Sequence, residues 1–248
     1  MPTTYGYDAN TAKTCAELSN LVYELPYVIL ARIRQIVPNA VIGMRTLKRG
    51  NFRVMVVADQ SAIYVVFRGT VPNSWRSVYA NLKVLRKIWR FGKVHRGFLG
   101  LLIVAKPFYL SNLQAHGGTQ KDIFFTGHSQ GGAVAFLAAM DNVQRGASYQ
   151  GINNYTFGQP RTGDKSFCRR AELHLGSRCI RITNRRDIFV GLPLVSQGYD
   201  HTRDFFNYNS NGKITRKLQS AGAGWHGYSF TAHRMVKYLG VARNTPKP

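Results

Sequence analysis

The sequence predicts an α/β fold, in which helices flank a central and mostly parallel sheet. Two features of the 248-residue chain lead to this prediction. Short apolar runs alternate with segments of helical periodicity, which is typical of strands buried on both faces of a sheet. Several of these runs end in glycine-rich or polar turns, and sheets of this kind carry their active sites at the carboxyl ends of the strands. We expect a single domain over residues 1–248.

The first elements of the chain are a helix, a hairpin and a buried strand. Residues 11–24 place apolar side chains on one face at helical spacing and predict the first helix. The runs 40–46 and 52–58 are separated by a polar turn at 48–51 and predict an antiparallel hairpin. Residues 61–67 form an apolar run that predicts a buried strand, which ends at Arg68-Gly69-Thr70.

The second half of the chain repeats this alternation of strand and helix. We predict strands at 122–126, 155–158 and 179–183, a helix of small apolar residues at 133–140, and a last helix that begins near His233. The three strands end in a glycine-rich turn, in a Gly-Gln-Pro loop and in a polar segment. These are the positions at which an α/β sheet carries functional side chains.

The chain is strongly basic, with 34 Lys and Arg residues against 11 Asp and Glu residues and a formal net charge of +23. A surface of this charge attracts anionic partners, such as an anionic lipid surface, nucleic acid or carboxylate products. The basic residues are spread along the chain without a recognised nucleic-acid motif, so we expect no nucleic-acid partner. The apolar fraction of 44% excludes a disordered chain.

The three cysteines, Cys15, Cys168 and Cys179, lack the spacing of a disulfide framework or of a zinc site. Cys168 and Cys179 could pair in an oxidising compartment. The first residues lack the pattern of a signal peptide, and no apolar run has the length of a membrane span. We therefore expect a protein that stays in the cell, leaves it by another route or is the mature form of a secreted protein.

A nucleophile is predicted at Ser129. Residues 127–131 read Gly-His-Ser-Gln-Gly and fit the pattern G-x-S-x-G, between a buried strand and a helix of small residues. In this context a tight turn exposes the serine at the helix N-terminus, where unpaired N–H groups face a developing oxyanion. The alternative is a glycine-rich turn with a passive serine.

Four further motifs accompany this pentapeptide, and they are found at Val65–Thr70, Val94–Phe98, Thr156–Asp164 and Arg181–Pro193. Together the five motifs resemble those of the fungal-type class 3 lipase family, whose members have an α/β-hydrolase fold. The resemblance extends over nearly the whole chain. Five motifs in the right order are far more specific than one.

The resemblance implies roles for individual residues. Ser129 would be the nucleophile, and Thr70 and the backbone N–H of Gln130 would form the oxyanion hole. Asp187 would be the triad acid, followed in the chain by a histidine. The implied chemistry needs no metal and no organic cofactor.

The acid and the histidine can also be approached by elimination. Asp187 alone among the acids after Ser129 follows directly on a buried strand, although an ion pair with Arg185 or Arg186 is an alternative. His233 precedes the last helix and is followed by a tyrosine, which matches the position of the family's histidine. His226, in a glycine-rich loop, is the second candidate.

Residues 74–90 predict an amphipathic helix that resembles, in its place in the chain, the mobile lid of the family. Basic side chains lie beside its apolar stripe, and such a helix suits a membrane interface. The alternative is a fixed helix that covers the core. The residues of the stripe that we assign to the lid are Trp75, Tyr79, Leu82, Leu85 and Trp89.

The sequence thus predicts a serine hydrolase that cleaves carboxylic ester bonds of acylglycerol lipids through an acyl-enzyme on Ser129. Its expected partners are a lipid or ester substrate and an anionic lipid surface. Three alternatives stay open: a soluble carboxylesterase for feruloyl or similar esters, a phospholipase A1 on anionic membranes, and a catalytically silent module that binds lipid surfaces.

Overall fold

The computed structural model describes residues 6–47, 52–70, 84–143, 151–184, 187–208, 214–218 and 231–243. Most of the strands in these residues join one sheet, and one pair forms a separate ribbon. The strands are β1 Val41–Leu47, β2 Phe52–Ala58, β3 Ala62–Phe67, β4 Arg86–Trp89, β5 Gly92–His95, β6 Asp122–His128, β7 Gly151–Phe157, β8 Cys179–Asn184, β9 Asp204–Tyr208 and β10 Ile214–Leu218.

The large sheet has the strand order β1-β2-β3-β6-β7-β8-β9-β10 within the described residues. The strands β3, β6, β7, β8 and β9 run parallel to one another, and β1, β2 and β10 at the two ends of the sheet pair antiparallel. This confirms the mostly parallel sheet, and the pairing of β1 with β2 confirms the predicted hairpin. The carboxyl ends of β3, β6, β7 and β8 lie at the same edge of the sheet.

Helices cover both faces of this sheet, as the sequence predicts. The described α-helices are α1 Ala9–Leu21, α2 Pro26–Ile36, α3 Arg96–Ala115, α4 Gln130–Val143, α5 Lys165–Leu175 and α6 Met235–Arg243. Alternate residues of the strands pack against α3, α4 and α5 on one face and against α1, α2 and α6 on the other. The helices α2 and α3 are not among the elements predicted from the sequence.

The predicted helix at 74–90 is wrong where the structure describes it. Residues 86–89 form β4, which pairs antiparallel with β5. Helical spacing in a short segment does not exclude a strand, and Trp89 here packs its ring against that of Phe167, at a centroid distance of 6.1 Å. Leu85 precedes the ribbon and is half exposed. Residues 71–83, which include Trp75, Tyr79 and Leu82, lie outside the described residues.

Within the described residues, α3 is the one helix long and apolar enough, by length and composition, to cross a membrane. The sequence alone predicts no membrane span at this position. Phe98, Leu102 and Tyr109 of α3 are buried in the core, and Lys106 forms an ion pair of 2.6 Å with the buried Asp141 of α4. These contacts are those of a core helix in this fold.

The three cysteines are free thiols, so Cys168 and Cys179 are not paired. Burial raises the pKa of each thiol, for Cys179 to about 11. At Cys179 the hydrogen bond from Asn154 Nδ2 to Sγ, at 3.6 Å, and the charge of Arg181 oppose this effect. Thiols with raised pKa values are poorly ionised at neutral pH and correspondingly unreactive.

The N-terminus of α3 is capped by the imidazole of His95, whose Nδ1 accepts from the backbone N–H groups of Gly97 and Phe98 at 3.1 and 3.3 Å. Burial lowers the pKa of His95 from its ordinary value of 6.5 to about 4. Nδ1 accepts these bonds only in the unprotonated ring, so the cap needs a neutral His95.

We expect His95 to make the protein less stable in mild acid. Between pH 6.5 and pH 4 the unfolded chain binds a proton at this residue and the folded chain does not, so the free energy of unfolding falls as the pH falls, by about 3 kcal/mol across the window. In His95→Asn the amide oxygen can still cap the helix, and this part of the pH dependence of the free energy of unfolding disappears. Urea unfolding of both proteins at several pH values measures it. Parallel pH dependences of the two would contradict the assignment.

Candidate active site

Ser129 sits in the tight turn between β6 and α4. Its backbone φ is +58°, a left-handed conformation that residues other than glycine rarely adopt. The backbone N–H of Ser129 donates to Phe157 O at 2.9 Å, and its carbonyl accepts from Ala133 N at 3.2 Å. The turn requires glycine at 127, because a Cβ there would lie 2.5 Å from the carbonyl carbon of Gly131. Ser129 therefore occupies a strained position held by its neighbours.

A chain of two hydrogen bonds runs from Ser129 through His233 to Asp187. Ser129 Oγ lies 2.7 Å from His233 Nε2, and His233 Nδ1 lies 2.7 Å from Asp187 Oδ2. A carboxylate only accepts, so Nδ1 carries the proton, and in the neutral ring Nε2 accepts from the serine hydroxyl. All three residues are buried. A hydroxyl bonded in this way to an imidazole, itself oriented by a carboxylate, is the arrangement that activates serine nucleophiles.

The carboxylate of Asp187 accepts two further hydrogen bonds. Its Oδ1 accepts from the backbone N–H of Phe189 at 2.9 Å, in a turn of 3-10 helix that begins just after Asp187. Its Oδ2 also accepts from the hydroxyl of Tyr238 at 2.6 Å, and that hydroxyl in turn accepts from the backbone N–H of Asn184 at 3.1 Å. Burial, with the nearby charge of Asp187, raises the pKa of Tyr238 well above its ordinary value, so the hydroxyl keeps its proton.

A second network connects the residue before Thr70 with the backbone of His233. The backbone N–H of Gly69 donates to Tyr23 Oη at 3.1 Å, and Tyr23 Oη lies 3.2 Å from His128 Nδ1. His128 Nε2 donates to the carbonyl of His233 at 2.6 Å. Burial, with the proximity of His233, lowers the pKa of His128 well below its ordinary value, so His128 is neutral and Nδ1 accepts from Tyr23.

The two residues expected to form the oxyanion hole lie together. Thr70 follows the end of β3, and Gln130 is the first residue of α4. The hydroxyl of Thr70 donates to Gln130 Oε1 at 3.3 Å. Glycine at residue 69 lets the segment after β3 pass close to the turn at Ser129, because a Cβ there would lie 2.5 Å from both His128 O and Tyr23 Oη. Backbone N–H groups at the N-terminus of a helix are suited to bind developing negative charge.

The structure thus brings Ser129, His233 and Asp187 into one hydrogen-bonded chain and places Thr70 beside Gln130. The second histidine candidate, His226, lies outside the described residues. His201 binds the carbonyl of Val190 through Nε2, at 2.7 Å, on the loop that follows Asp187.

Sequence reasoning missed the roles of Tyr23 and His128. The position of His128 beside the serine was the signal that could have identified it, whereas Tyr23 follows α1 and has the spacing of a core residue. No group of three or more His, Cys, Asp or Glu residues that could hold a metal ion is present in the part of the chain that the structure describes.

The sheet order, the turn at Ser129 and the chain from serine to aspartate define an α/β-hydrolase fold. The profile of the family described as "Lipase (class 3)" matches residues 64–197, which is more than half of the sequence. The chain belongs to this family, which confirms the resemblance of the five motifs.

Individual relatives agree with this assignment. A lipase of Rhizomucor miehei is 32% identical over 162 residues, which cover 63% of this chain and 44% of the relative. A phospholipase A1 of Oryza sativa subsp. indica is 35% identical over 159 residues, which cover 53% of this chain and 36% of the relative. The chain thus matches less than half of the length of these relatives. The structure of lipase II from Rhizopus niveus shares the fold, with a TM-score of 0.75 and 24% identity over 91% of this chain and 92% of that one.

The backbone at Gly158 passes close to Asp187 and Tyr238. Its φ is +57°, and an added Cβ would lie 2.8 Å from Asp187 Oδ2 and 3.0 Å from Tyr238 Oη. Gly117 provides a matched control, since it also has a positive φ, +71°, but has nothing within 4 Å of an added Cβ.

We expect Gly117→Ala to lower the free energy of unfolding by about 1 kcal/mol, the cost of a left-handed alanine. Gly158→Ala should cost about 3 kcal/mol, because overpacking against Asp187 and Tyr238 is added. It should also shift the low-field NMR signal of the proton on His233 Nδ1. Equal costs in the two variants, with that signal unmoved, would contradict the described contact.

Proposed function

We propose that this chain is a serine hydrolase that cleaves carboxylic ester bonds of acylglycerol lipids, in the manner of a triacylglycerol lipase. The observation that carries the proposal is the unbroken hydrogen-bonded chain from Ser129 Oγ through His233 to Asp187, with both distances at 2.7 Å. Membership of the class 3 lipase family supports the choice of ester substrates.

In the acylation step His233 Nε2 takes the proton of the Ser129 hydroxyl while Oγ bonds to the carbonyl carbon of the ester. The carbonyl oxygen becomes an oxyanion, which the backbone N–H groups of Thr70 and Gln130 stabilise. The protonated His233 then gives its proton to the leaving alcohol oxygen as the ester bond breaks. Asp187 holds the ring in the required tautomer and stabilises its positive charge.

In the deacylation step water replaces the alcohol. His233 takes a proton from water while the water oxygen attacks the acyl carbon, and the proton returns to Ser129 Oγ as the fatty acid leaves. His128, whose ring donates to the carbonyl of His233, is itself neutral and adds no positive charge beside the proposed base.

The burial of Ser129 supports a function at lipid surfaces. Its exposed fraction is 0%, so an ester can reach Oγ only after the residues that cover it have moved. A lipid surface is a suitable trigger for such a movement, because it stabilises apolar side chains that water does not. The net charge of +23 adds attraction to anionic lipid and to fatty acid products. We infer a peripheral enzyme that works at such surfaces.

The second candidate is a phospholipase A1 that acts on anionic membranes. Its support is the same positive charge, together with the similarity to the rice phospholipase A1. It uses the same serine chemistry on a different ester, so only the substrate distinguishes it from the first candidate.

We expect the initial rate on a short-chain triacylglycerol to rise steeply when its concentration passes the solubility limit and droplets form. Ser129→Ala should lower the rate by at least about 10³-fold, because it removes the nucleophile. Anionic phospholipid vesicles assayed in parallel for fatty acid release distinguish the phospholipase.

The other outcomes each name an alternative. A rate that saturates below the solubility limit and then stays flat would indicate a soluble carboxylesterase. A wild-type rate equal to that of Ser129→Ala on every ester would contradict the proposal and favour a silent lipid-binding module.

A further inference from the structure

The outer face of α2 is apolar although it faces solvent. The helix buries Ile29 and Ile33 against β2 and β3. On the opposite side, the positions i, i+3, i+4 and i+7 from residue 27 are Tyr27, Leu30, Ala31 and Arg34, which share one helix face. Tyr27 is 70% exposed and Leu30 is 61% exposed. A surface helix ordinarily turns polar side chains to solvent, so this face is built for contact with something other than water.

The charges around this face are complementary to an anionic surface. Arg32 and Arg34 are exposed in the second half of the helix. Glu24 is the single carboxylate among residues 22–47. Tyrosine and leucine beside arginines are typical of helices that lie in the boundary between headgroups and acyl chains, where the rings and aliphatic groups enter and the cations meet phosphates.

The start of α2 is tied to the strand end that leads into Thr70. Arg53 on β2 donates through Nη1 to the carbonyls of Val22 and Glu24, the first of these at 3.1 Å. Tyr23 between them accepts from the backbone N–H of Gly69 at 3.1 Å, and the guanidinium of Arg68 lies 5.6 Å from the centre of its ring. A surface bound to α2 is therefore held at a fixed position relative to Gly69 and its neighbour Thr70.

We propose that this outer face, made of Tyr27, Leu30, Ala31 and Arg34, docks the protein on an anionic phospholipid membrane, with the exposed Arg32 on the flank of the helix. An anionic membrane is the partner that fits this face, because exposed apolar side chains and positive charges occur together on it. The docking rests on the proposed function only in that it brings Ser129 to its substrate, and it is measurable without catalysis.

Binding is measured in the Ser129→Ala background, so that the vesicles stay intact. Flotation with vesicles of equimolar phosphatidylglycerol and phosphatidylcholine is compared with vesicles of phosphatidylcholine alone. The test variant is Tyr27→Ser/Leu30→Ser. The matched control is Ile103→Ser/Val104→Ser on α3, which removes two side chains that are 57% and 52% exposed. A second test variant, Arg32→Gln/Arg34→Gln, changes only exposed side chains and preserves the apolar face.

We expect Tyr27→Ser/Leu30→Ser to lower the partition coefficient on anionic vesicles by about tenfold or more, since apolar burial in the membrane is lost. Arg32→Gln/Arg34→Gln should lower it by several-fold and reduce its dependence on salt. The α3 control should bind like the parent. With Ser129 intact, all variants should hydrolyse a soluble short-chain ester at the wild-type rate, which shows that they are folded.

Several results would overturn the docking surface. The first is that both test variants bind as well as the parent. The second is that the α3 control loses as much binding as the test variants. The third is that the parent itself does not bind anionic vesicles. A dimer in solution that Tyr27→Ser/Leu30→Ser converts to a monomer, without vesicle binding by either, would assign the face to a second copy of the chain. Vesicle binding without hydrolysis of any ester by the wild type would contradict the proposed function and leave the docking surface standing.

Discussion

The carboxylate of Asp187 is buried in the fold, and the structure around it is arranged to satisfy its two oxygens. A buried carboxylate is costly unless hydrogen bonds replace its water. Three donors do so here: the backbone N–H of Phe189, the hydroxyl of Tyr238 and Nδ1 of His233. They come from the turn after β8, from α6 and from the turn before α6. Loss of any of them leaves a buried acceptor short of a partner, so the C-terminal helix is tied to the sheet through one side chain.

This constraint extends to the other side of the site. His233 is oriented by Asp187 through its ring and by His128 through its backbone carbonyl. His128 in turn contacts Tyr23, which accepts from Gly69, the residue before Thr70. The proposed base and the proposed oxyanion hole are therefore parts of one connected hydrogen-bond network. Burial, with the proximity of His233, keeps the pKa of His128 well below its ordinary value, so the ring that contacts His233 is neutral.

The sequence predicts the parts of this site that depend on local geometry. Steric crowding at the turn around Ser129 requires glycine on both sides, and Asp187 stands out as the acid that follows directly on a buried strand. His233 is different, because where the last helix docks is not a local property, and the resemblance to a family was needed to favour it over His226. Tyr23 and Tyr238 have the spacing of core residues, and only the folded structure shows that their hydroxyls reach His128 and Asp187. The ribbon of β4 and β5 overrides the helical spacing of residues 86–89, because these residues pair with Gly92–His95 and Trp89 packs against Phe167 of α5, a contact distant in sequence.

Covalent labelling with an alkylphosphonate ester that carries a p-nitrophenyl leaving group tests the central claim most directly, because it asks whether His233 and Asp187 activate Ser129. Intact mass and peptide mapping should show one adduct per chain, on Ser129, with stoichiometric release of p-nitrophenol. His233→Ala, exposed to the reagent for the same time, should remain unlabelled, because its serine lacks the base. An adduct on another residue, or labelling of His233→Ala at the wild-type rate, would contradict the account.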